Sequence, residues 1–425
     1  MNLTPLVPVL QNFPRRGLKD VAQAVRDELA SARLEQGLKP GARIAIAAGS
    51  RGISNHALIV RATAGYFRAQ GFEPFVVPAM GSHGGGTAEG QKNVLAHYGI
   101  TEEGVGCPIV SCLDTVPIAH TEDGIEVRVD RTAWESDGIV FVNRIKWHTT
   151  FDASMESGLM KMAAIGIGKL YGAQEYHRNI VRMGFEAVIR SVGRKVVASG
   201  KVLGGVGILE DAQHETARIA AIPAARIETE EGELLALVKQ WMPRLLFDEI
   251  DILVVDEVGK HISGVGMDSK VINRHPYGAV NPWSYLPRIF RVYARELSPQ
   301  SYGNANGLGM ADMISDRLYN AIDWQTTRVN ALTANNLPSI RTPLRAATDA
   351  EALEVLADAV GRRDPSEVTC VWIRNTLELT HIAATANLAI PSGAEIIGPP
   401  VDWPFDEAGN LTGGVNAILA AGAAA

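Results

Sequence analysis

The chain has 425 residues, 46% of them hydrophobic and 20% charged, with 40 basic and 47 acidic side chains for a formal charge of −7. That length exceeds one ordinary core and implies two or three domains, while the acidic balance excludes a nucleic-acid binder, which needs a basic footprint. No apolar run reaches the roughly 18 residues of a membrane span, and no basic start leads into an apolar stretch, so neither a span nor a secretory leader is expected. Cys107, Cys112 and Cys370 are odd in number and sparse, which fits a reducing, cytoplasmic setting better than a disulfide scaffold. Cys107 and Cys112 have no second pair to complete a thiolate metal site and read as ordinary thiols.

In chain order, the run Arg43-Ile-Ala-Ile-Ala-Ala48 predicts a strand that ends at Gly49. The loop Ser50-Arg-Gly-Ile-Ser54 follows, then helical periodicity from Asn55 to Gln70 that stops at Gly71. Phe72-Glu-Pro-Phe-Val-Val77 repeats the pattern, with the glycine-rich turn Gly81-Ser-His-Gly-Gly-Gly86 and a second helical stretch from Thr87 to Tyr98. Apolar runs before each loop and glycine at each helix stop are the punctuation of parallel βαβ units. Gly138-Ile-Val-Phe-Val142 predicts a third strand, leading into Asn143-Arg-Ile-Lys-Trp-His148. A Gly/Met/Ala-rich segment covers 155–172, helical character continues to about Arg194, and 201–210 reads as another strand. A boundary is expected near Trp241-Met-Pro243, after which 249–255 and 368–373 predict strands and 309–322 and 348–361 predict helices. The expected organisation is a 1–245 N-terminal α/β domain, a 246–400 C-terminal α/β domain, and a 401–425 segment packing back on the first. The expected fold class is α/β, two domains of mostly parallel sheets flanked by helices, with the active site in the cleft between them.

Ligands of open parallel sheets bind beyond the carboxyl ends of the strands, where loops converge. Three successive strands deliver a polar residue there: Arg51, His83 and His148. Arg51, between Gly49 and Gly52, has the fork of donors that suits a carboxylate, and a structural salt bridge is its other reading. His83 stands among four glycines, which expose its imidazole, a group that takes and returns protons near neutrality; a turn histidine of no consequence is the alternative. His148 beside Trp147 reads as a second acid/base or as packing next to the core. Lys161 and Lys169 lie among Met, Ala, Ile and Gly, where a charged amine is disfavoured and covalent chemistry becomes accessible, unless their stems merely cover apolar surface. His177, two residues after Glu175 in what reads as a helix, is as an isolated residue more often a solvated helix histidine than a metal ligand.

Taken in order, Arg51, His83, His148, Lys161 and His177 resemble the nickel-dependent lactate racemase family over most of residues 40–275. The resemblance implies a nickel-pincer nucleotide held covalently by Lys161, with His177 as the protein ligand to nickel. It further implies Arg51 on the substrate carboxylate, His83 and His148 as acid/bases flanking the substrate carbon, and Ser82 and Gly84 at the cofactor. A small 2-hydroxy acid would be racemised or epimerised, and cofactor-synthesis enzymes would be partners. Ala48 stands where the family carries an aspartate, the interval from His148 to Lys161 is long, and the family's second-domain Gln/Lys pair has no counterpart. The loop 259–274, with Lys260 and Asp268, occupies that region as a cleft-lining loop or a packed turn. These departures imply a hydroxy acid other than lactate.

Two further readings use the same residues. One is a metal-dependent sugar-acid isomerase or lyase with freely exchanging Mn or Zn. The other is a non-catalytic binder of an anionic metabolite. An ordinary NAD-dependent dehydrogenase is disfavoured, because no dinucleotide fingerprint follows the first strand.

Overall fold

The computed structural model describes residues 3–49, 52–333 and 335–423. They form two compact units: Pro14–Met242 is one, and the chain up to Phe13 together with the chain from Pro243 is the other. Strand β1 (Leu6–Gln11) opens the chain and belongs to the latter.

The Pro14–Met242 unit is built on five strands, β2 (Arg43–Ala48), β3 (Glu73–Pro78), β6 (Gly138–Arg144), β7 (Val202–Glu210) and β8 (Thr216–Pro223), with a separate hairpin of β4 (Thr115–His120) and β5 (Glu126–Asp130). The sheet order is β3-β2-β6-β7-β8, parallel throughout except for β8, which runs antiparallel to β7. Helices α1 (Val21–Ala32), α2 (His56–Ala69), α3 (Ala88–His97), α4 (Glu102–Val105), α5 (Arg131–Trp134), α6 (Leu159–Lys161), α7 (Lys169–Met183), α8 (Phe185–Val197) and α9 (Ile227–Trp241) complete it.

The apolar strand runs are explained by burial on both faces. Ile44, Ile46, Val140 and Val142 join Val25, Leu29, Ile59 and Phe67 of α1 and α2 in one core. Ala45, Ala47, Ile139 and Phe141 join Val188, Ile189, Leu234 and Leu235 of α8 and α9 in another. A strand covered on both sides has no polar alternation to show, which is why β2 and β6 read as continuous apolar segments. The chain leaves β2 for β3 on one side and later returns to place β6 on the other. Their loops therefore part company at the carboxyl ends of β2 and β6, the kind of switch point at which open α/β sheets hold ligands.

The second unit has one sheet, adding β9 (Glu249–Val258), β10 (Arg288–Leu297), β11 (Met313–Ser315), β12 (Leu344–Ala346), β13 (Cys370–Ile373), β14 (His381–Thr385) and β15 (Ala394–Ile396) in the order β12-β11-β10-β9-β13-β14-β1-β15. Its first five strands are parallel and the rest antiparallel. The molecule is thus α/β with mostly parallel sheets flanked by helices.

Two expectations are corrected here. The first thirteen residues are not part of the N-terminal domain, because β1 pairs with β14 and β15. The described part of the 401–425 segment belongs to the second unit as well. Val401 bridges Leu6, the terminal helix Gly414–Ala423 packs on β1 and β14, and the Val415 amide donates to Asp256 at 2.7 Å. In the 259–274 loop the glycines serve close packing, since a Cβ on Gly266 would stand 2.6 Å from the Asn306 carbonyl oxygen. Asp268 and Lys270 are buried there, with the Lys270 ammonium 3.9 Å above the Trp283 ring. Among the described residues no helix is long and apolar enough to cross a membrane.

Candidate active site at the switch point of the parallel sheet

Beyond β6 the chain turns back on itself. Lys146 and Ser157 exchange backbone hydrogen bonds at 2.9 and 3.2 Å, so the excursion 147–156 returns directly to Gly158 and α6. Lys161 ends α6, and the next five residues, Met162–Gly166, form a π-helical turn closed by the Ile167 amide on the Met162 carbonyl at 2.9 Å. Such widened turns concentrate at functional sites because they redirect side chains that a regular helix would stack.

His148 sits on the excursion, and a buried carboxylate sets its backbone. Glu156, 0% exposed, accepts the His148 amide and, at 3.1 Å, the Ala153 amide, and pairs with Lys239 of α9. Burial pushes the Glu156 carboxyl above its ordinary range against the pull of Lys239 and these amides. The His148 ring stacks on Phe151 with centroids 4.1 Å apart, and Phe151 stacks on Phe185 at 4.0 Å. Nδ1 accepts the Thr150 backbone N–H at 3.1 Å and lies 2.7 Å from the Thr150 hydroxyl. An amide N–H only donates, so Nδ1 supplies its lone pair and the neutral ring carries its proton on Nε2.

Phe185 links His148 to the lysine. The Lys161 ammonium lies 5.4 Å from the centre of the Phe185 ring, within cation–π range, and the His148 ring centre is 5.0 Å from the same ring. His177, on α7, is held below the ordinary imidazole value first by burial and then by the Lys161 charge. His148 and Lys161 therefore share the Phe185 ring, and His177 lies within the electrostatic reach of Lys161. A neutral imidazole is the form that ligates a metal.

The turn that carries His83 is tied to the same segment through the Gly81 backbone. It is exposed, on the turn after β3, where the Gly81 amide donates to the Gly166 carbonyl at 3.1 Å and Gly86 packs on Leu170. Lys169, 0% exposed, pairs with Asp130 at 2.9 Å and donates to the Pro78 carbonyl and to Gln91. The Gln91 amide in turn donates to the Gly81 carbonyl at 2.8 Å, which fixes the turn. Lys169 is thus a structural cation, and Lys161 alone of the two singled out keeps a partly exposed side chain. Ser82 is half-buried, and Gly84, at φ +65°, is glycine for packing, because a Cβ there would stand 2.4 Å from the Gly90 backbone.

Arg51 lies outside the described residues. Its near neighbour Gly49, at the end of β2, faces β6: a Cβ there would stand 2.7 Å from the Asn143 side-chain oxygen and 3.4 Å from Met162. Asn143 also donates to the Gly158 carbonyl at 2.9 Å, so one side chain ties the end of β2 to the start of α6. Asn143, Glu156, Phe151, Phe185 and Gln91 escaped the sequence reading. Only Asn143 offers a signal in the sequence, standing at a strand's carboxyl end as His83 and His148 do.

Among the described residues no group of three or more His, Cys, Asp or Glu is placed to hold a metal ion. No family model and no curated protein matches the chain. Among solved structures it is similar to the lactate racemase apoprotein from Thermoanaerobacterium thermosaccharolyticum, at 12% identity and a TM-score of 0.45, covering 86% of this chain and 99% of that one. It is also similar to a structural-genomics protein from Thermotoga maritima, at 14% identity and a TM-score of 0.45, covering 68% of this chain and 73% of that one. What the site can do rests on its own residues.

Proposed function

We propose that this protein is an isomerase that racemises or epimerises a small 2-hydroxy carboxylic acid, with a nickel-pincer nucleotide attached at Lys161. The observation that carries the reading is that His148 and Lys161 share the Phe185 ring beside the switch point, with His177 inside the field of the Lys161 charge.

The residues present fit that group. Lys161 offers a partly exposed amine over an aromatic ring, and His177 offers a neutral imidazole within its electrostatic reach. Lys161 would hold the cofactor and His177 would ligate nickel, a metal that imidazole suits. Bound there, the cofactor supplies a reversible acceptor for the hydride on the substrate's alpha carbon.

The chain's own residues do the rest. Arg51 orients the substrate carboxylate. His83, exposed on its fixed turn, takes the hydroxyl proton as the carbon becomes planar and later gives it back. His148 meets the same oxygen through Nε2–H, because Thr150 occupies Nδ1. As a neutral donor it polarises the carbonyl of the planar 2-keto acid and stabilises developing negative charge on the oxygen. The two histidines, equivalent acid/bases in the sequence reading, thereby take different roles. Phe151 and Phe185 keep the face beside them apolar, which strengthens these electrostatic effects.

The test is a chiral assay on protein co-expressed with cofactor-synthesis enzymes. Interconversion of the enantiomers of a 2-hydroxy acid, without added nicotinamide cofactor, is expected and should be abolished in Lys161→Ala. Turnover supported by a simple Mn or Zn salt on protein lacking the nucleotide would overturn the assignment and favour a metal-dependent isomerase or lyase. Tight ligand binding with no turnover, unchanged in His83→Ala and His148→Ala, would instead make the protein a binder.

A further inference from the structure

The element that carries Lys161 is short, and something outside it must set its direction. A three-residue helix running into a π turn has too few internal hydrogen bonds to do so alone. Glu231, on α9, lies directly beneath it. Its Oε2 accepts the Met160 amide at 2.9 Å, and the Leu159 amide also favours its charged form. A Cβ on Gly158 would stand 2.4 Å from Oε1, so the backbone at the start of α6 presses on the carboxyl group itself. Gly158 has φ −179°, an extended conformation open to any residue, so the close approach to Glu231 is what requires glycine.

Glu231 is 1% exposed, and its Oε1 is buried with no hydrogen-bond partner among the described residues. The charged group that acts on it is Arg190 of α8, which is already committed to Glu186 and Glu228. A serine or asparagine would have capped the amides without burying a carboxyl. From the opposite side Met160 is held by Gly193 of α8, where a Cβ would stand 2.8 Å from the Met160 methyl. The segment is thus clamped between α8 and α9.

We propose that Glu231 is a positioning residue, which holds the Met160 amide and packs against Gly158 and so fixes the direction in which Lys161 leaves the chain. Its functional importance rests on the reading of Lys161 above.

The experiment is limited acetylation of cofactor-free protein, with the reaction of Lys161 measured by peptide mass spectrometry against Lys195 and Lys201. Glu231→Gln keeps the acceptor and is expected to leave the Lys161 ratio within about twofold of the parent, whereas Glu231→Met, which fills the volume but cannot accept, should change it by at least about threefold. Gly158→Ala reads the same contact from the other side, and serves should Glu231→Met fail to fold; it should move the Lys161 ratio in the same way. A folded Glu231→Met or Gly158→Ala whose ratio stays within about twofold of the parent overturns the proposal. Because cofactor-free protein is used, finding no adduct on Lys161 in native material would remove the racemase reading and leave this result standing.

Discussion

Glu231 accepts the backbone N–H of Met160, the residue before Lys161, at 2.9 Å in a site closed to water. Burial pushes this carboxyl up to about 7. A carboxyl raised above its unfolded value contributes stability fully present below about 4.5 and lost as pH rises through about 7. Across that window the loss is on the order of 3 kcal/mol. His56, 3% exposed and lowered by burial to about 4, works in the opposite sense, losing stability as pH falls from about 6.5. The difference between variant and parent therefore isolates Glu231. Glu231→Gln should gain stability relative to the parent as pH rises from 5 to about 7.5, measured by denaturant unfolding at each pH. A constant difference across that range would contradict the assignment.

The tautomer of His148 is open to direct measurement. With the Thr150 amide on Nδ1 at 3.1 Å, nitrogen NMR should show Nδ1 as the unprotonated nitrogen and Nε2 as protonated at neutral pH. The reverse pattern would return His148 to the role of a base acting through Nε2.

Lys169 and Asp130, both 0% exposed, form an ion pair at 2.9 Å beneath the His83 turn. Removing one partner strands the other in the core, so Lys169→Met should cost roughly 3–5 kcal/mol. Lys169→Met combined with Asp130→Leu should recover part of that loss, as read by thermal unfolding. Equal destabilisation in the single and double variants would show that the pair is not coupled.

Phe185 carries the contacts of both Lys161 and His148. Phe185→Leu keeps most of the apolar volume while removing the ring, and should cost only about 1 kcal/mol of stability. Its effect on turnover should be larger, on the order of tenfold, because an amine and an imidazole lose their common platform. Unchanged turnover would separate the aromatic pair from the chemistry.

How far the sequence revealed these features follows from the range of the forces involved. The parallel core was legible because β2 and β6, buried on both faces, show as unbroken apolar runs. The alignment of His83 and His148 with strand ends was legible for the same reason. The placement of β1 was not, since its partners β14 and β15 lie more than 360 residues away and no local pattern announces them. The identity of Lys169 was also hidden. Both lysines share an apolar neighbourhood in sequence, and only the fold brings Asp130 to one and Phe185 to the other. Glu156 and Glu231 carry no signal in the sequence, because their amide partners come from a loop and a helix that their own segments do not predict.

The central claim is that Lys161 is the covalent anchor of the chemistry. Peptide mass spectrometry of protein purified from its native host tests it most directly. The peptide containing Lys161 should carry a nucleotide-sized adduct with two added sulfur atoms, and the intact protein should contain nickel. A Lys161 peptide of unmodified mass, in protein that nonetheless interconverts the enantiomers of a hydroxy acid, would contradict it.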